Sequence, residues 1–199
     1  IEANKSGADC VKLQIIDPEE SYEKGTESFS LFEKYRLSYE SLMRIRDFCK
    51  KKNILLFATP GDLHSLDIIK KLKFPLVKIS SGLNTNKYLI SEVIKLKLPL
   101  IISLGMSSEI ETKKLYKYVK AKSNNFALLK CTSIYPSNDN NLNINSIKKL
   151  KEIFNCTIGY SDHSIDDLAI LTAVSNGASI VEKHFTTNRN LPGRDNKFA

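Results

Sequence analysis

The sequence has 199 residues with 42% hydrophobic and 26% charged side chains, enough apolar material for one domain with a substantial core. No apolar run approaches the roughly 18 residues of a membrane-spanning helix and no signal-peptide pattern opens the chain, so the expectation is a cytoplasmic protein without a membrane partner. The net charge of +8 comes from lysines spread over several helical segments without interleaved aromatic residues, which argues against a nucleic-acid partner.

Seven apolar, β-branched runs predict strands, and amphipathic segments between them predict helices. The strands are expected at CVKLQII (10–16), ILLFATP (54–60), LVKISS (76–81), PLIISLG (99–105), FALLKCTSIYP (126–136), CTIGYSDH (156–163) and SIVEKHF (179–185). The helices are expected at 38–52, 65–72, 88–97, 109–122, 144–154 and 165–177, the last two capped by Asn145 and Ser164. The acidic segment DPEESYEKGTESFSLFEKY (17–35) is expected to form a loop that overhangs the active face.

Strands that are apolar throughout and separated by helices predict a parallel sheet covered on both faces. Seven strand–helix units spaced by about 22–30 residues favour an α/β fold of the TIM (β/α)₈ barrel type. The chain is then expected to be a partial barrel domain over residues 1–199, with its first strand upstream of Ile1. A doubly wound open sheet is the alternative, but no glycine-rich phosphate loop follows any of the strands.

Polar side chains follow at the same end of each predicted strand. They are Lys12 and Gln14; Thr59; Lys78, Ser80 and Ser81; Ser103; Lys130, Thr132, Ser133 and Tyr135; Ser161, Asp162 and His163; Glu182 and His184. Because the carboxyl ends of parallel strands share one rim of a barrel, where catalytic residues lie, these positions indicate an active site.

Two of the three histidines close consecutive predicted strands and lie 21 residues apart. Side chains alternate along a strand, so Ser161 shares a face with His163, and Glu182 shares a face with His184. If these faces point inward, the two imidazoles meet within reach of one divalent cation of intermediate softness, such as Mn²⁺, Co²⁺ or Zn²⁺. The alternative is a core histidine that hydrogen-bonds to Asp162 or Glu182.

Two lysines interrupt apolar strands, Lys78 in LVKISS and Lys130 in LLKCTS, where a lysine is rarely buried without a partner. Inside a barrel mouth they would join serine hydroxyls in a cationic, donor-rich cup suited to phosphate or carboxylate. Those hydroxyls are Ser81, Ser103, Ser133 and Ser161. The alternative is a pair of outward lysines whose stems cover apolar surface.

The remaining cysteines and histidine carry weaker signals. Cys10, Cys49, Cys131 and Cys156 show no paired spacing, so we expect buried thiols in a reducing compartment. His64 begins a predicted helix and is expected to lie on the surface.

A series of motifs in order along the chain resembles the sialic acid synthase (N-acetylneuraminate synthase) family, which includes pseudaminate and legionaminate synthases. The motifs are GADCVKLQ, FATP, VKISSG, ISLGMSS, LLKCTSIYP, IGYSDHS and GASIVEKHFTTNRNLPGRD. The resemblance implies a TIM barrel followed by a small antifreeze-like domain, which is expected to be absent from residues 1–199, and a homodimer. It implies a transferase that condenses phosphoenolpyruvate with an N-acylated aminohexose such as N-acetylmannosamine. The products are a nonulosonic acid and phosphate, released by C–O cleavage.

The same resemblance implies roles for individual residues. His163 and His184 correspond to the two ligands of a divalent cation, Mn²⁺ first with Mg²⁺ or Co²⁺ as alternatives. The positions that hold phosphoenolpyruvate correspond to Lys12, Thr59, Lys78, Ser81, Ser103 and Ser161, with Ser133 and Tyr135 beside them. Gln14 and Glu182 are inward polar groups near the metal and its water, and Asp195 contacts the sugar.

Three positions depart from the pattern of the neuraminate-forming members. Leu83 stands where they have glutamate, Ser133 where asparagine is frequent, and Asn196 where histidine is common. These departures are closer to relatives that use other sugars, such as pseudaminate or legionaminate synthases. The rival functions are another metal-dependent phosphoenolpyruvate-utilising barrel, an aldolase, and an inactive barrel that only binds anions.

Overall fold

The computed structural model describes residues 1–193 and 195–199. The strands are β1 (Cys10–Ile15), β2 (Leu55–Pro60), β3 (Val77–Ile79), β4 (Leu100–Ser103), β5 (Phe126–Cys131), β6 (Thr157–Asp162) and β7 (Val181–Lys183). The α-helices are α1 (Glu2–Lys5), α2 (Pro18–Ser21), α3 (Glu27–Tyr35), α4 (Tyr39–Lys51), α5 (Leu63–Lys71), α6 (Lys87–Lys95), α7 (Glu109–Lys120), α8 (Ser146–Ile153) and α9 (Leu168–Ser175). Three short 3-10 helices cover Ser81–Leu83, Asp139–Asn141 and Asp195–Lys197. All seven predicted strands and all six predicted helices are thus present.

The chain divides into two compact units. Unit 1 comprises Ile1–Ile79 and Asn86–Leu100, and unit 2 comprises Ser80–Thr85 and Ile101–Ala199. None of the helices in the described part of the chain has the length and hydrophobicity to span a bilayer.

In unit 1 the strands β1, β2 and β3 are neighbours in chain order. β1 and β2 run parallel from Cys10 opposite Leu55 to Ile15 opposite Pro60. β2 is buried over five of its six residues, so the apolar run that predicted this strand corresponds to a central, covered position in the unit.

In unit 2 the strands β4, β5, β6 and β7 again follow chain order. β5 pairs with β6 in parallel, and β6 pairs with β7 in parallel. The core of this unit contains Ile102, Leu128 and Tyr160, which are completely buried. Parallel strands in chain order with helices between them are the repeating element of a (β/α) barrel, as the sequence predicted.

The expectation of a loop at 17–35 is wrong, because two helices form there. Asp17 accepts a hydrogen bond from the amide of Glu19 and caps α2, in which Pro18 takes the first helical position. The Thr26 hydroxyl caps α3 in the same way. These helices were not predicted because α3 has no buried residue and therefore shows no periodic apolar pattern in the sequence.

Of the two caps expected for the last helices, one has the expected position. Asn145 is the N-cap residue of α8, although its side chain makes no capping bond. Ser164 does not start α9, which begins at Leu168, because the Ser164 hydroxyl is drawn instead to the Asp162 carboxylate at 2.9 Å.

His64 is exposed, as expected, and it also contacts a neighbouring carboxylate. Its Nδ1 makes a short contact with the Asp17 carboxylate, which also accepts a hydrogen bond from Arg36 Nη2 at 3.2 Å. Burial raises the pKa of Asp17, but the hydrogen bonds from His64 and the Glu19 amide, with the charge of Arg36, outweigh it and hold the pKa below its ordinary value. The Asp17 carboxylate therefore connects the ends of α2, α3 and α5.

The expected burial of the cysteines is wrong for Cys10, which is exposed.

Asp17→Asn is expected to lower the free energy of unfolding by about 2 kcal/mol at pH 7, because charge-assisted hydrogen bonds are lost. A carboxyl group with a depressed folded-state pKa stabilises the fold above its unfolded-state pKa of about 3.9 and loses that contribution as the pH falls through the folded-state value. The difference between variant and wild type should therefore shrink below about pH 4. Urea unfolding from pH 3 to 7 tests this, with Asp67→Asn as the matched control, since the Asp67–Lys71 ion pair is exposed. A difference that is independent of pH would contradict the prediction.

Candidate active site

The rings of His163 and His184 lie together just beyond the ends of β6 and β7, with centroids 5.4 Å apart. His163 is buried, and its Nδ1 lies 2.8 Å from the carbonyl oxygen of Thr132. Because a carbonyl can only accept, Nδ1 carries the proton and Nε2 holds the lone pair of the neutral ring. The expected meeting of the two imidazoles on neighbouring strands is confirmed.

Three further side chains lie beside the two imidazoles. His184 Nδ1 lies 3.3 Å from Asp195 Oδ2. The ring of Tyr135 is 4.1 Å from that of His163, and the buried ring of Phe198 is 5.1 Å from that of His184. Phe198 was not predicted from the sequence, because a single aromatic residue in a polar tail gives no pattern. These rings restrict the orientations of both imidazoles.

The imidazoles of His163 and His184 fit a divalent cation that has two protein ligands. A backbone carbonyl that holds the first ring by Nδ1 is the usual support for a metal-ligating imidazole, since it orients the other nitrogen. The described residues contain no group of three or more histidine, cysteine or acidic side chains placed to hold a metal ion. A cation here would therefore keep positions for water and substrate, as catalytic metals do.

Ser161 and Glu182 face each other across the β6–β7 ladder. The Ser161 hydroxyl donates to Glu182 Oε1 at 2.9 Å. This bond fixes the carboxylate on the strand position two residues before His184, on the same strand face. The expected proximity of these polar groups to the histidine pair is thus supported by the register.

The hydroxyl groups of Ser81 and Ser133 converge beside Gly105, and we call these two residues, with Ser103 two positions earlier in the chain, the hydroxyl cluster. A methyl group placed on Gly105 would lie 2.3 Å from Ser133 Oγ and 2.7 Å from Ser81 Oγ. The hydroxyl of Ser103, a residue that is only 3% exposed, has no hydrogen-bond partner in the described part of the chain. A buried hydroxyl without a partner is costly, and a bound ligand or water can satisfy it.

Asn84 fixes the segment that carries Ser81. Its side-chain amide is buried and donates to the carbonyl oxygens of Ser103 at 3.0 Å and Gly105 at 3.1 Å. Its own oxygen accepts from the Ser107 hydroxyl at 3.0 Å. Asn84 was not singled out from the sequence, although a buried, fully bonded amide of this kind holds the hydroxyl cluster in place.

Cys131 links the hydroxyl cluster to the histidine pair, since its Sγ lies 3.9 Å from both Ser133 Oγ and His163 Nδ1. Burial raises the pKa of the Cys131 thiol, but hydrogen bonds with His163 and Ser81 lower it to about 7. Burial lowers the pKa of His163, while its contacts with Cys131 and Thr132 raise it above the ordinary value. The sequence had suggested only a buried thiol at this position.

Two other predicted groups in unit 2 have defined surroundings. Burial, followed by the negative charges nearby, raises the pKa of Tyr135 to about 12, so its phenol remains a hydrogen-bond donor at neutral pH. Lys130 Nζ donates to the Cys131 carbonyl at 3.1 Å and to Thr132 Oγ1 at 3.3 Å. The ammonium group of Lys130 therefore lies at the carboxyl end of β5, the strand that carries it.

The remaining predicted residues belong to unit 1. Gln14 lies opposite Thr59 across the β1–β2 ladder, and Lys12 is two residues earlier on the same face of β1. Lys12 and Gln14 are exposed, whereas Lys78 in β3 is only 1% exposed. The hydroxyl of Thr59 is buried, with no hydrogen-bond partner among the described residues. Gln14 and Thr59 thus lie side by side near the carboxyl ends of β1 and β2.

Comparison with known proteins gives relatives over the whole chain. The model of the NeuB family matches residues 1–199. An uncharacterised protein of Methanocaldococcus jannaschii, MJ1065, is 39% identical over 100% of this chain and 59% of its own length. The pseudaminic acid synthase of Campylobacter jejuni is 32% identical over 99% of this chain and 62% of its own length. The chain therefore spans about three fifths of these curated relatives.

A solved structure agrees with the sequence relatives. The N-acetylneuraminic acid synthetase of Leptospira borgpetersenii superposes with a TM-score of 0.95 and 34% identity. The match covers 100% of this chain and 70% of that protein, whose crystal structure is a complex with citrate. The likeness confirms the predicted α/β TIM-barrel fold, and together with the match over all 199 residues it shows that the chain belongs to the NeuB family.

Proposed function

We propose that the full-length protein condenses phosphoenolpyruvate with an N-acylated aminohexose, giving a nonulosonic acid and inorganic phosphate. The observation that carries this proposal is the histidine pair, His163 and His184, in the same unit as a converging cluster of serine hydroxyls. Relatives named pseudaminic acid, legionaminic acid and N-acetylneuraminate-9-phosphate synthase support the reaction class.

The hydroxyl cluster is suited to the phosphate or carboxylate of phosphoenolpyruvate. Ser81 and Ser133 converge on one point, and Ser103 contributes a buried hydroxyl that none of the described residues uses. Preorganised hydroxyl donors bind an anion without a reorganisation cost. On the family resemblance alone, we also propose Lys12 and Lys78 as phosphoenolpyruvate contacts, because lysine ammonium groups are common phosphate partners.

We propose that His163 and His184 hold a divalent cation, with Mn²⁺ as the first candidate and Mg²⁺ or Co²⁺ as alternatives. When bound, such a cation supplies a Lewis acid for the charge that develops on the carbonyl oxygen of the open-chain sugar. The chain's own contribution is the orientation of both rings, through Thr132 for His163 and through Asp195 for His184. We further assign Asp195 a contact with the sugar.

The carboxylate of Glu182 has the position and charge for the next part of the reaction. As C3 of the enol attacks the sugar aldehyde, positive charge develops at C2, which a fixed carboxylate stabilises. Water then adds to C2, and one of its protons ends on the alkoxide formed from the aldehyde. The C2–O bond to phosphate breaks, the second proton of that water leaves with the phosphate, and the keto group forms. On the family resemblance alone, Gln14 is proposed to orient the water. The protonated phenol of Tyr135 is a donor for the leaving oxygen.

The sugar is proposed to be a precursor of the pseudaminate or legionaminate type. Leu83 ends the 3-10 helix that begins with Ser81 and offers apolar surface where N-acetylneuraminate-forming members carry a carboxylate. Asn196 is turned to local bonds, since its Nδ2 donates to the Pro192 carbonyl at 3.0 Å. An apolar residue beside the sugar suits a deoxygenated or acylated position rather than a hydroxyl.

The proposal is tested by phosphate release from phosphoenolpyruvate with the full-length protein, Mn²⁺ and a panel of N-acylated aminohexoses. We expect release only when a sugar is added, together with a nine-carbon 2-keto acid product.

Gly105→Ala should raise KM for phosphoenolpyruvate about 10–100-fold. Its methyl group displaces hydroxyls that each contribute about 1.5–3 kcal/mol to the binding free energy of an anion. Serine side chains can rotate away, so the variant should still fold.

Gly82→Ala is the matched control for that substitution. It adds the same methyl group in the same unit, but nothing lies within 4 Å of the new atom. Its KM should equal that of wild type. Phosphate release that is absent with every sugar, or that does not depend on sugar, would refute the proposed reaction.

A further inference from the structure

An ion pair joins the residues immediately before the two histidines. Lys183 Nζ lies 2.5 Å from Asp162 Oδ2, and the two residues face each other in the β6–β7 register. The Asp162 side chain is completely buried and that of Lys183 is 20% exposed. Because side chains alternate along a strand, this pair lies on the strand face opposite to Ser161 and Glu182.

Further hydrogen bonds hold both members of the pair. Asp162 Oδ1 accepts from the Tyr160 hydroxyl at 3.1 Å and from the Ser164 amide at 3.1 Å. Lys183 Nζ also donates to the carbonyl oxygens of Ser164 at 2.8 Å and Asp166 at 3.1 Å. All three hydrogens of the ammonium group therefore have an acceptor. A buried charge pair with every donor used permits little movement of either chain segment.

The location of the pair connects it to the imidazoles. β7 has only three residues, and its ladder with β6 ends at the rung that pairs Asp162 with Lys183. His163 and His184 come directly after this rung, and among the described residues no β6–β7 pair lies beyond it. The last rung and its side chains therefore contribute to the 5.4 Å separation of the ring centroids, together with the contacts of Thr132 and Asp195.

We propose that Asp162 and Lys183 are a positioning pair, which sets the separation and orientation of the His163 and His184 rings for a divalent cation. The inference rests on the proposed function, because it assigns the histidines to metal ligation. Neither member of the pair contacts the cation or the substrates. Each acts through the histidine that follows it.

The first test is the affinity of the full-length protein for Mn²⁺, measured by calorimetric titration without substrates. Lys183→Met should weaken binding about 10–100-fold, the usual effect of losing an outer support of a ligating imidazole. The double variant Asp162→Asn/Lys183→Met removes the uncompensated buried carboxylate, so its thermal stability should recover while its Mn²⁺ affinity remains low. If the pair only stabilised the fold, the double variant would recover its Mn²⁺ affinity together with its thermal stability.

Lys149→Met is the matched control. It also removes a lysine from an ion pair in unit 2, with Glu109 at 2.8 Å, but both side chains are at least half exposed. Its affinity for Mn²⁺ should equal that of wild type. Weaker Mn²⁺ binding by the Lys149→Met variant would overturn the inference, since the loss of any lysine would then have the same effect.

A second readout needs no metal. In metal-free protein labelled with ¹⁵N-histidine, Lys183→Met should shift the ring signals of His163 and His184 and leave those of His64 in unit 1 unchanged. Unaltered rings and unaltered Mn²⁺ affinity in Lys183→Met would overturn the inference while leaving the proposed reaction intact. If wild type binds no Mn²⁺ but the ring signals still shift, the metal assignment fails and the positioning of the rings stands.

Discussion

Replacing His163 or His184 with alanine in the full-length protein is expected to lower sugar-dependent phosphate release about 10³-fold or more. Each substitution removes one of two proposed ligands, and the described residues offer no third acidic, histidine or cysteine group placed to compensate. Stabilisation of a developing oxyanion by a cation contributes several kcal/mol, and about 4 kcal/mol corresponds to about 10³ in rate. The loss should appear in kcat and persist at saturating phosphoenolpyruvate.

His64→Ala is the control for the loss of an imidazole. His64 contacts Asp17 in unit 1 and has no part in either proposed binding set. Its variant should keep the rate of wild type, whatever its stability. A His184→Ala enzyme that retains more than about a tenth of the rate would exclude the assignment of this imidazole, since a tenfold loss corresponds to only about 1.4 kcal/mol.

Gly159→Ala is expected to lower the free energy of unfolding by about 3 kcal/mol, at the upper end for an overpacked core. The new methyl group would lie 2.5 Å from the Ile180 carbonyl oxygen and 2.5 Å from Leu129 Cδ2. That carbonyl accepts the Tyr160 amide at 2.8 Å, so it cannot move without breaking the contact between β6 and the start of β7. Glycine is required here by close approach of another backbone rather than by its own conformation.

Denaturant unfolding of the full-length protein measures this effect, and the matched substitution is again Gly82→Ala, which has open space around it. Because β6 and β7 carry the two histidines, Gly159→Ala should also weaken Mn²⁺ binding. A change in stability below about 0.5 kcal/mol, the range of neutral surface substitutions, would show that the two strands can separate without cost.

The strands could be predicted because each is an apolar run with β-branched residues, and six of the helices because they carry an apolar stripe. The helices α2 and α3 were missed for the opposite reason, since α3 buries no side chain and only its caps mark it. The signals were nevertheless present in the sequence as Asp17 followed by Pro18, and as Thr26 before an acidic residue. The predicted fifth strand ran too far because the residues after Cys131 leave the sheet.

The histidine pair could be predicted from alternation and equal placement on consecutive strands. The same alternation placed Ser161 and Glu182 on the face that the histidines share, and the register agrees. Phe198 and Asn84 could not be identified, because their importance comes from what the fold brings next to them rather than from any local spacing.

The β6–α9–β7 segment has a consequence for how the protein acquires its chemistry. His163 and His184 are 21 residues apart, and much of that span is α9, so bringing them together closes only a short loop. Ser81 and Ser133 are 52 residues apart, so their meeting closes a longer loop through several strands and helices. We therefore expect the imidazole pair, a low-contact-order feature, to form early in folding and the anion site to be completed late. Refolding followed by Mn²⁺ capture and by phosphoenolpyruvate binding would accordingly report two separate phases.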